Sequence, residues 1–119
     1  MKNLVGFLGL LSLCAAAQAA TVRVDISGMK FVPQHVDIKA GDTVEFVNTT
    51  SFKHTVTADP SLVRDPANVV LPMGAMPFHS GVLAPSGTFT QTFTVAGDYR
   101  YVCLPHERMG MMGSITVAD

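Results

Sequence analysis

Apolar residues recur at every second position through most of the chain after residue 20, a period typical of β-strands that bury one face. Glycine-containing turns at 40–42 and 96–98 separate some of these runs. The alternating runs lie at residues 22–26, 36–38, 44–46, 89–95 and 115–117, with further apolar runs at 54–57 and 99–103. We therefore predict an all-β fold, a two-sheet Greek-key β-sandwich of about seven to eight short strands.

One long segment interrupts this pattern. Residues 59–87 are rich in Pro, Gly and Met and show no sustained period of either two or 3.6. Such composition favours irregular structure. We predict a long loop here, with one helical turn around residues 66–70.

The charge of the chain excludes two classes of partner. Its 119 residues carry 8 Lys plus Arg against 9 Asp plus Glu, a formal net charge of −1. A balance so close to zero provides no field that would hold a nucleic acid or an anionic membrane. The length suits one domain.

The first twenty residues have the pattern of an export signal. Lys2 precedes an apolar run at residues 4–13, and small residues follow up to Ala20. The apolar run is shorter than the roughly 20 residues that a membrane-spanning helix needs. We predict a signal peptide at 1–19, cleaved near Ala19, then a domain at 20–119 that is periplasmic and has no membrane anchor. Cleavage would remove Cys14 and leave Cys103 as the single thiol.

Candidate metal ligands concentrate in one short segment near the C-terminus. Cys103 ends a predicted strand, His106 follows three residues later, and Met109, Met111 and Met112 precede the last strand. Thiolate, imidazole and thioether together are a soft-to-borderline ligand set, and a His₂Cys site with a weak axial Met suits copper. Such a site needs a second histidine, and His54 lies on a predicted interior strand. Any of the three methionines could be the thioether donor or could fill a gap in the packing.

The residues around Cys103 carry a family resemblance. Residues 101–106 (YVCLPH), followed by Gly110-Met111 and by residues 113–117 (GSITV), resemble the ligand loop of the cupredoxins, the plastocyanin-, pseudoazurin- and amicyanin-like blue copper proteins. The resemblance implies one type 1 copper per chain with His54, Cys103 and His106 as equatorial ligands and Met111 as the axial ligand. It also implies an electron carrier rather than an enzyme. Copper enzymes built from such domains need further copper centres, for which this chain is too short.

The resemblance further implies a monomer that meets redox partners, a donor and an acceptor, at an apolar patch near the C-terminal His ligand. The patch residues would be Leu104, Pro105, His106 and Met109. One position departs from the family pattern, because many cupredoxins have Asn directly after the first His ligand and this chain has Thr55. We expect the shorter hydroxyl not to reach the Cys loop.

A rival hypothesis rests on the remaining soft ligands. Met73, Met76 and His79 are spaced by three in the long loop, and together they would suit a second Cu(I) and a role in copper tolerance or delivery. The simpler interpretation is that Met73 and Met76, with Leu71 and Phe78, cover the sandwich or form a docking surface.

Overall fold

The computed structural model describes residues 18–119, together with Gly6 and Gly9. The predicted signal peptide therefore lies almost entirely outside the described residues. Within 18–119 the strands are β1 (Thr21–Ser27), β2 (Lys30–Val32), β3 (His35–Lys39), β4 (Thr43–Asn48), β5 (Thr57–Ala58), β6 (Phe78–His79), β7 (Thr88–Thr92), β8 (Gly97–Val102) and β9 (Met112–Ala118).

The strands form two sheets that face each other. One has the order β2-β1-β4-β7 and the other the order β3-β9-β8-β5-β6. Strands β1 and β4 are parallel, as are β3 and β9, and the remaining paired strands are antiparallel. The chain passes repeatedly from one sheet to the other. The predicted all-β sandwich is confirmed, but residues 18–119 form nine strands where seven to eight were predicted.

The alternation seen in the sequence produces the core between the sheets. Val24, Ile26, Val44 and Phe46 from one sheet are fully buried. They meet alternate residues of the other sheet, including Tyr101, whose ring lies edge-on 5.3 Å from Phe46, centroid to centroid. Burying a large apolar side chain contributes about 1.5–3 kcal/mol, so these layers supply most of the stabilisation.

Two predicted segments differ in detail from the structure. The expected strand at 54–57 is reduced to β5, and His54 joins the fold through a single bridge to Leu83. The region 59–87 is mostly irregular with a 3₁₀ turn at Pro66–Asn68, as predicted, but it also contributes β6. Short pairings of this kind depend on a distant partner strand and leave no periodic signal.

A close approach in the core fixes the start of β9. Gly113 packs directly against the ring and hydroxyl of Tyr101, with no room for a β-carbon. The Tyr101 hydroxyl is buried and has no hydrogen-bond partner in residues 18–119. Burial raises its pKa strongly, so the phenol stays protonated. Gly113 thus lets β9 lie close enough to β8 to hold the segment between them as a tight loop.

Candidate metal centre

Three side chains converge at one end of the sandwich. Cys103 Sγ lies 3.5 Å from His54 Nδ1 and 3.4 Å from His106 Nδ1. All the ligand atoms of this group lie within 4.8 Å of one another. His54 and Cys103 are completely buried, and His106 is partly exposed. The sequence placed these three residues in one site, and the structure brings them together.

The loop that carries two of them is closed by its own backbone. The Cys103 N–H donates to the Met111 carbonyl at 3.0 Å, and the Met111 N–H donates to the His106 carbonyl at 3.3 Å. Gly110 has a φ of 75°, in the left-handed region that glycine adopts without strain. The loop therefore returns sharply into β9 and keeps its side chains on one side.

The other histidine comes from a second rigid element. His54 and Leu83 exchange both backbone hydrogen bonds, at 3.3 and 2.8 Å. The Asn48 side chain at the end of β4 also donates to the carbonyls of Phe52, Leu83 and Ala84. These hydrogen bonds hold the segment around His54 from both sides.

The three candidate thioethers have different surroundings. Met111 is 2% exposed and Met109 is 64% exposed. With Met111 as the ligand, the family spacing predicts that Met112 points into the core, but Met112 is half-buried. Met112 lines a surface depression of about 240 Å³ together with Met29, Met109 and Met111.

The electrostatics of the site suit a cation. Burial raises the pKa of the Cys103 thiol, although the N–H groups of Thr55 and His106 and the Thr55 hydroxyl act in the opposite direction. Burial also lowers the pKa of His54, and the charge of His106 lowers it further. Without a bound cation, burial therefore favours a neutral His54 imidazole beside a protonated Cys103 thiol. A metal cation would replace the thiol proton and stabilise the thiolate.

The spacing of the donors fits one metal ion. Donors bound at about 2.0–2.3 Å to one trigonal metal lie about 3.5–3.7 Å apart. The two sulfur-to-nitrogen distances of 3.5 and 3.4 Å are close to this value. Two imidazoles and one thiolate are also the equatorial set that copper takes in electron-transfer sites. The residues present therefore fit a copper ion.

Thr55 corrects one expectation. Its hydroxyl does reach the Cys loop, because the Leu104 N–H donates to Thr55 Oγ1 at 2.9 Å. The Thr55 N–H also points at Cys103 Sγ, 3.4 Å away. The backbone of residue 55 lies so close to the loop that a short side chain is sufficient. The His54 segment and the Cys103 loop are therefore tied together.

Sequence reasoning missed a buried carboxylate next to His106. Glu107 is 4% exposed. Its oxygens accept hydrogen bonds from the N–H groups of Arg64 and Asp65 at 2.8 to 3.1 Å and from the Asn68 side chain at 3.2 Å. Burial alone would raise the pKa of Glu107, but these donors hold it below its ordinary value. Glu107 thus fastens the long loop to the ligand loop, a role that a lone Glu between His and Arg does not reveal in sequence.

This anchor gives a stability prediction. Glu107→Gln places an amide NH₂ against N–H donors, so we expect the free energy of unfolding of the copper-free protein to fall by about 1.5–3 kcal/mol. Glu45→Gln, on the half-buried outer face of β4, is the matched control and should change stability by less than about 0.5 kcal/mol. Urea unfolding followed by circular dichroism measures both. Equal stabilities for the two variants would show that Glu107 does not anchor the loop.

A β-sandwich that packs a Cys–His loop against a buried histidine is typical of copper-binding proteins. The comparisons identify the family. The chain belongs to the plastocyanin/azurin family of copper-binding proteins, the cupredoxins, because the family's model matches residues 18–118. Copper is accordingly its cofactor.

Individual relatives agree with this assignment. The chain is 37% identical to chloroplastic plastocyanin of Chlamydomonas reinhardtii over 110 residues, which cover 90% of this chain and 73% of that protein. An oxidised amicyanin variant has a TM-score of 0.65 and 27% identity, covering 81% of this chain and 80% of that chain. Pseudoazurin from Methylobacterium extorquens AM1 has a TM-score of 0.65 and 28% identity, covering 83% of this chain and 76% of that chain.

The residues predicted for the docking patch and for a second copper site differ in their exposure to solvent. Around His106, Pro105 and Met109 are exposed and Leu104 is half-buried. Leu71 and Phe78 pack on the core of the sandwich, as predicted. Met73 and Met76 do not cover it, since they are 99% and 79% exposed. Both lie in an irregular connection outside the strands, where nothing in the fold requires burial.

Proposed function

We propose that this protein is an exported electron carrier whose single copper is held by His54, Cys103, His106 and Met111. Copper, when bound, supplies a one-electron couple between Cu(I) and Cu(II). The observation that carries the proposal is the convergence of the donors of His54, Cys103 and His106, with Cys103 Sγ 3.5 and 3.4 Å from the two imidazole nitrogens. Ligands that surrounding hydrogen bonds hold in place allow electron transfer with little rearrangement, which suits a carrier and not an enzyme.

Each part of the chain has a role in this proposal. The buried Cys103 and His54 keep water from the ligand atoms, and the hydrogen bonds of Thr55 and Glu107 hold the loop in place. His106 has an exposed side and is the route by which we expect the electron to leave. Pro105, Met109 and Leu104 surround it with apolar surface, so we propose that a redox donor and acceptor dock there. The small net charge favours short-range apolar contact over long-range steering.

Electron self-exchange tests the proposed docking patch, because two copies that exchange an electron must bring their His106 sides together. Met109→Glu with Pro105→Glu should slow self-exchange by at least about tenfold, since like charges would face each other. Met73→Glu is the control, because Met73 follows Pro72, which packs on Gly97 at the opposite end of β8 from Cys103. Line broadening in mixtures of oxidised and reduced protein measures the rates. A copper that does not cycle reversibly between Cu(I) and Cu(II) in the unmodified protein would contradict the carrier role, and an unchanged self-exchange rate in the double variant would contradict docking at the patch.

A second candidate function is copper tolerance or delivery. Two observations favour it: the exposed thioethers of Met73 and Met76, and the depression that four methionines line beside the candidate centre. His79 is less available than its sequence position suggests, because its Nδ1 lies 2.8 Å from Thr57 Oγ1. Only Nε2 remains for a second metal.

Cu(I) stoichiometry separates the two functions. The carrier role predicts one Cu(I) per chain, measured by competition with a chromophoric chelator. A delivery role predicts a further equivalent, which would be lost in Met73→Leu with Met76→Leu while the first is retained. The matched double variant, Met29→Leu with Met109→Leu, tests instead whether the further Cu(I) binds in the depression that four methionines line. A stoichiometry of one in the unmodified protein would contradict a second site.

The proposed export to the periplasm includes cleavage of the signal peptide after Ala19, and the surroundings of Ala20 suit that new N-terminus. The Ala20 N–H donates to the Asp42 carboxylate at 2.8 Å, directly before β1. Cleavage after Ala19 would place a positive α-amino group at this carboxylate, whose pKa the N–H groups of Ala20 and Lys39 already lower. The intact mass of protein recovered from the periplasm should therefore equal that of residues 20–119. A mass that includes Cys14 would contradict the cleavage. Within the described residues no helix is long and apolar enough to cross a membrane.

A further inference from the structure

Four methionines line one surface depression at the edge of the candidate metal centre. The depression has a volume of about 240 Å³ and lies where the turn before β2 meets the start of β9. Met29 comes from that turn, Met109 and Met111 from the ligand loop, and Met112 is the first residue of β9. Four of the seven methionines in the chain are thus gathered in one place. The candidate ligand set accounts for only one of them, Met111.

The four side chains differ in depth, from the solvent to the centre. Met109 is 64% exposed and Met29 is 41% exposed, Met112 is half-buried, and Met111 is 2% exposed. Met111 is also joined to the site, because its carbonyl accepts the Cys103 N–H at 3.0 Å. The depression therefore opens to solvent at the outer methionines, Met29 and Met109, and its most deeply buried methionine is the proposed axial ligand.

Packing alone does not explain the outer methionines. Burial stabilises a side chain in proportion to the apolar area that it removes from water, and both of these side chains keep much of their area in solvent. Leucine has nearly the same volume and would pack as well. The thioether is what distinguishes methionine from leucine, and thioether donors select Cu(I) among the metal ions of a cell. The chemistry shared by the four side chains therefore suits Cu(I).

The charges at the depression favour passage of an ion over its storage. The described residues that line it include Lys30 and Gln34 and no carboxylate. Thioethers are neutral, and the ammonium group of a lysine repels a cation. The neighbouring centre offers the Cys103 sulfur, which becomes a thiolate on metal binding, and the imidazoles of His54 and His106. Cu(I) is therefore held more weakly in the depression than in the centre, and transfer to the centre is favourable.

We propose that this depression is the entry site for Cu(I), where Met29 and Met109 capture the ion and Met111 passes it to the candidate centre. The inference rests on the proposed metal centre but not on the carrier role. During transfer, the outer thioethers release the ion as the Cys103 sulfur and the two imidazoles bind it. The Cys103 thiol loses its proton to solvent in the same step. No electron is transferred, because the ion enters and remains as Cu(I).

The rate of copper loading is the first test. Copper-free protein is mixed with Cu(I) in the absence of oxygen, and the ultraviolet absorbance of the Cu(I)–thiolate bond reports the rate. Met29→Leu with Met109→Leu should slow loading by at least about fivefold, because capture raises the effective concentration of the ion beside the centre. Met73→Leu with Met76→Leu removes two exposed thioethers from another part of the chain and is the matched control, with an unchanged rate.

Two further properties of the Met29→Leu, Met109→Leu variant distinguish an entry site from a damaged centre. Loading with Cu(II), which thioethers bind poorly, should be as fast as in the unmodified protein. The final copper occupancy and the midpoint potential should also be unchanged, since both positions are exposed and leucine conserves the volume. Unchanged loading with Cu(I) would overturn the proposal and indicate entry past the exposed side of His106. Equal slowing with Cu(I) and Cu(II) would also overturn it, because thioether chemistry would then not be the cause.

Methyl NMR tests capture without the transfer step. A second equivalent of Cu(I), added as its acetonitrile complex to protein already loaded with Cu(I), should shift the methyl signals of Met29, Met109 and Met112. The signals of Met73 and Met76 should stay in place. A chelator removes an ion held so weakly, so the stoichiometry measured by competition stays at one. No shift at Met29 and Met109, or an equal shift at Met73 and Met76, would overturn the proposal. Failure of the carrier role would leave both these shifts and the loading rates unchanged.

Discussion

Replacing Cys103 with alanine is expected to abolish the visible absorption of the Cu(II) protein. The intense band arises from charge transfer between thiolate and copper, and Cys103 is the free thiol of residues 18–119. Tight copper binding should be lost as well, because two imidazoles and a thioether do not supply a negative ligand. His35→Gln lies outside the site and should keep the full band.

The same experiment can contradict the account. An unchanged band in Cys103→Ala would mean that another group is the donor. Zinc uptake without any coloured Cu(II) form in the unmodified protein would also argue against a type 1 centre. Circular dichroism of the copper-free variant shows whether the sandwich has folded, and one small side chain lost from the core should not prevent this.

Replacing Met111 with leucine is expected to keep copper bound but raise the midpoint potential. Losing a thioether donor weakens Cu(II) binding more than Cu(I) binding, and axial ligands tune such potentials. If the affinity for Cu(II) falls tenfold more than the affinity for Cu(I), the midpoint potential rises by about 59 mV for one electron. We expect a rise of this order. The exchange conserves volume, so the buried position should tolerate it at a cost below about 1.5 kcal/mol.

Met109→Leu is the matched control for this measurement. Met109 lies two residues earlier and is 64% exposed, whereas Met111 is 2% exposed. Voltammetry should show an unchanged potential for the control. A higher midpoint potential in Met109→Leu with no change in Met111→Leu would indicate that Met109 is the axial ligand and would contradict the proposed role of Met111.

The fold was predictable because its signal is local. Alternating residues such as Val44 and Phe46 identify a strand and its buried face without knowledge of the partner strand. The candidate ligands Cys103 and His106 could be proposed from local sequence because one short loop carries both, whereas the family resemblance was needed to choose Met111 over Met109 and Met112. His54 was found through the chemistry of the site and the family resemblance.

The supporting contacts were not predictable because they join distant parts of the chain. Glu107 meets its N–H donors in the long loop, about forty residues earlier. The reach of Thr55 depends on how closely two backbones approach, which side-chain length alone does not reveal. The exposure of Met73 depends on the path of an irregular segment, for which periodicity gives no information.

The central claim is that Cys103, His54 and His106 bind the same copper ion. X-ray absorption at the copper K-edge of the Cu(II)-loaded protein tests it most directly. We predict one short copper–sulfur distance and two imidazole nitrogens in the unmodified protein, and no sulfur at that short distance in any copper that Cys103→Ala retains. A copper surrounded only by nitrogen and oxygen, with no sulfur at bonding distance, would contradict it.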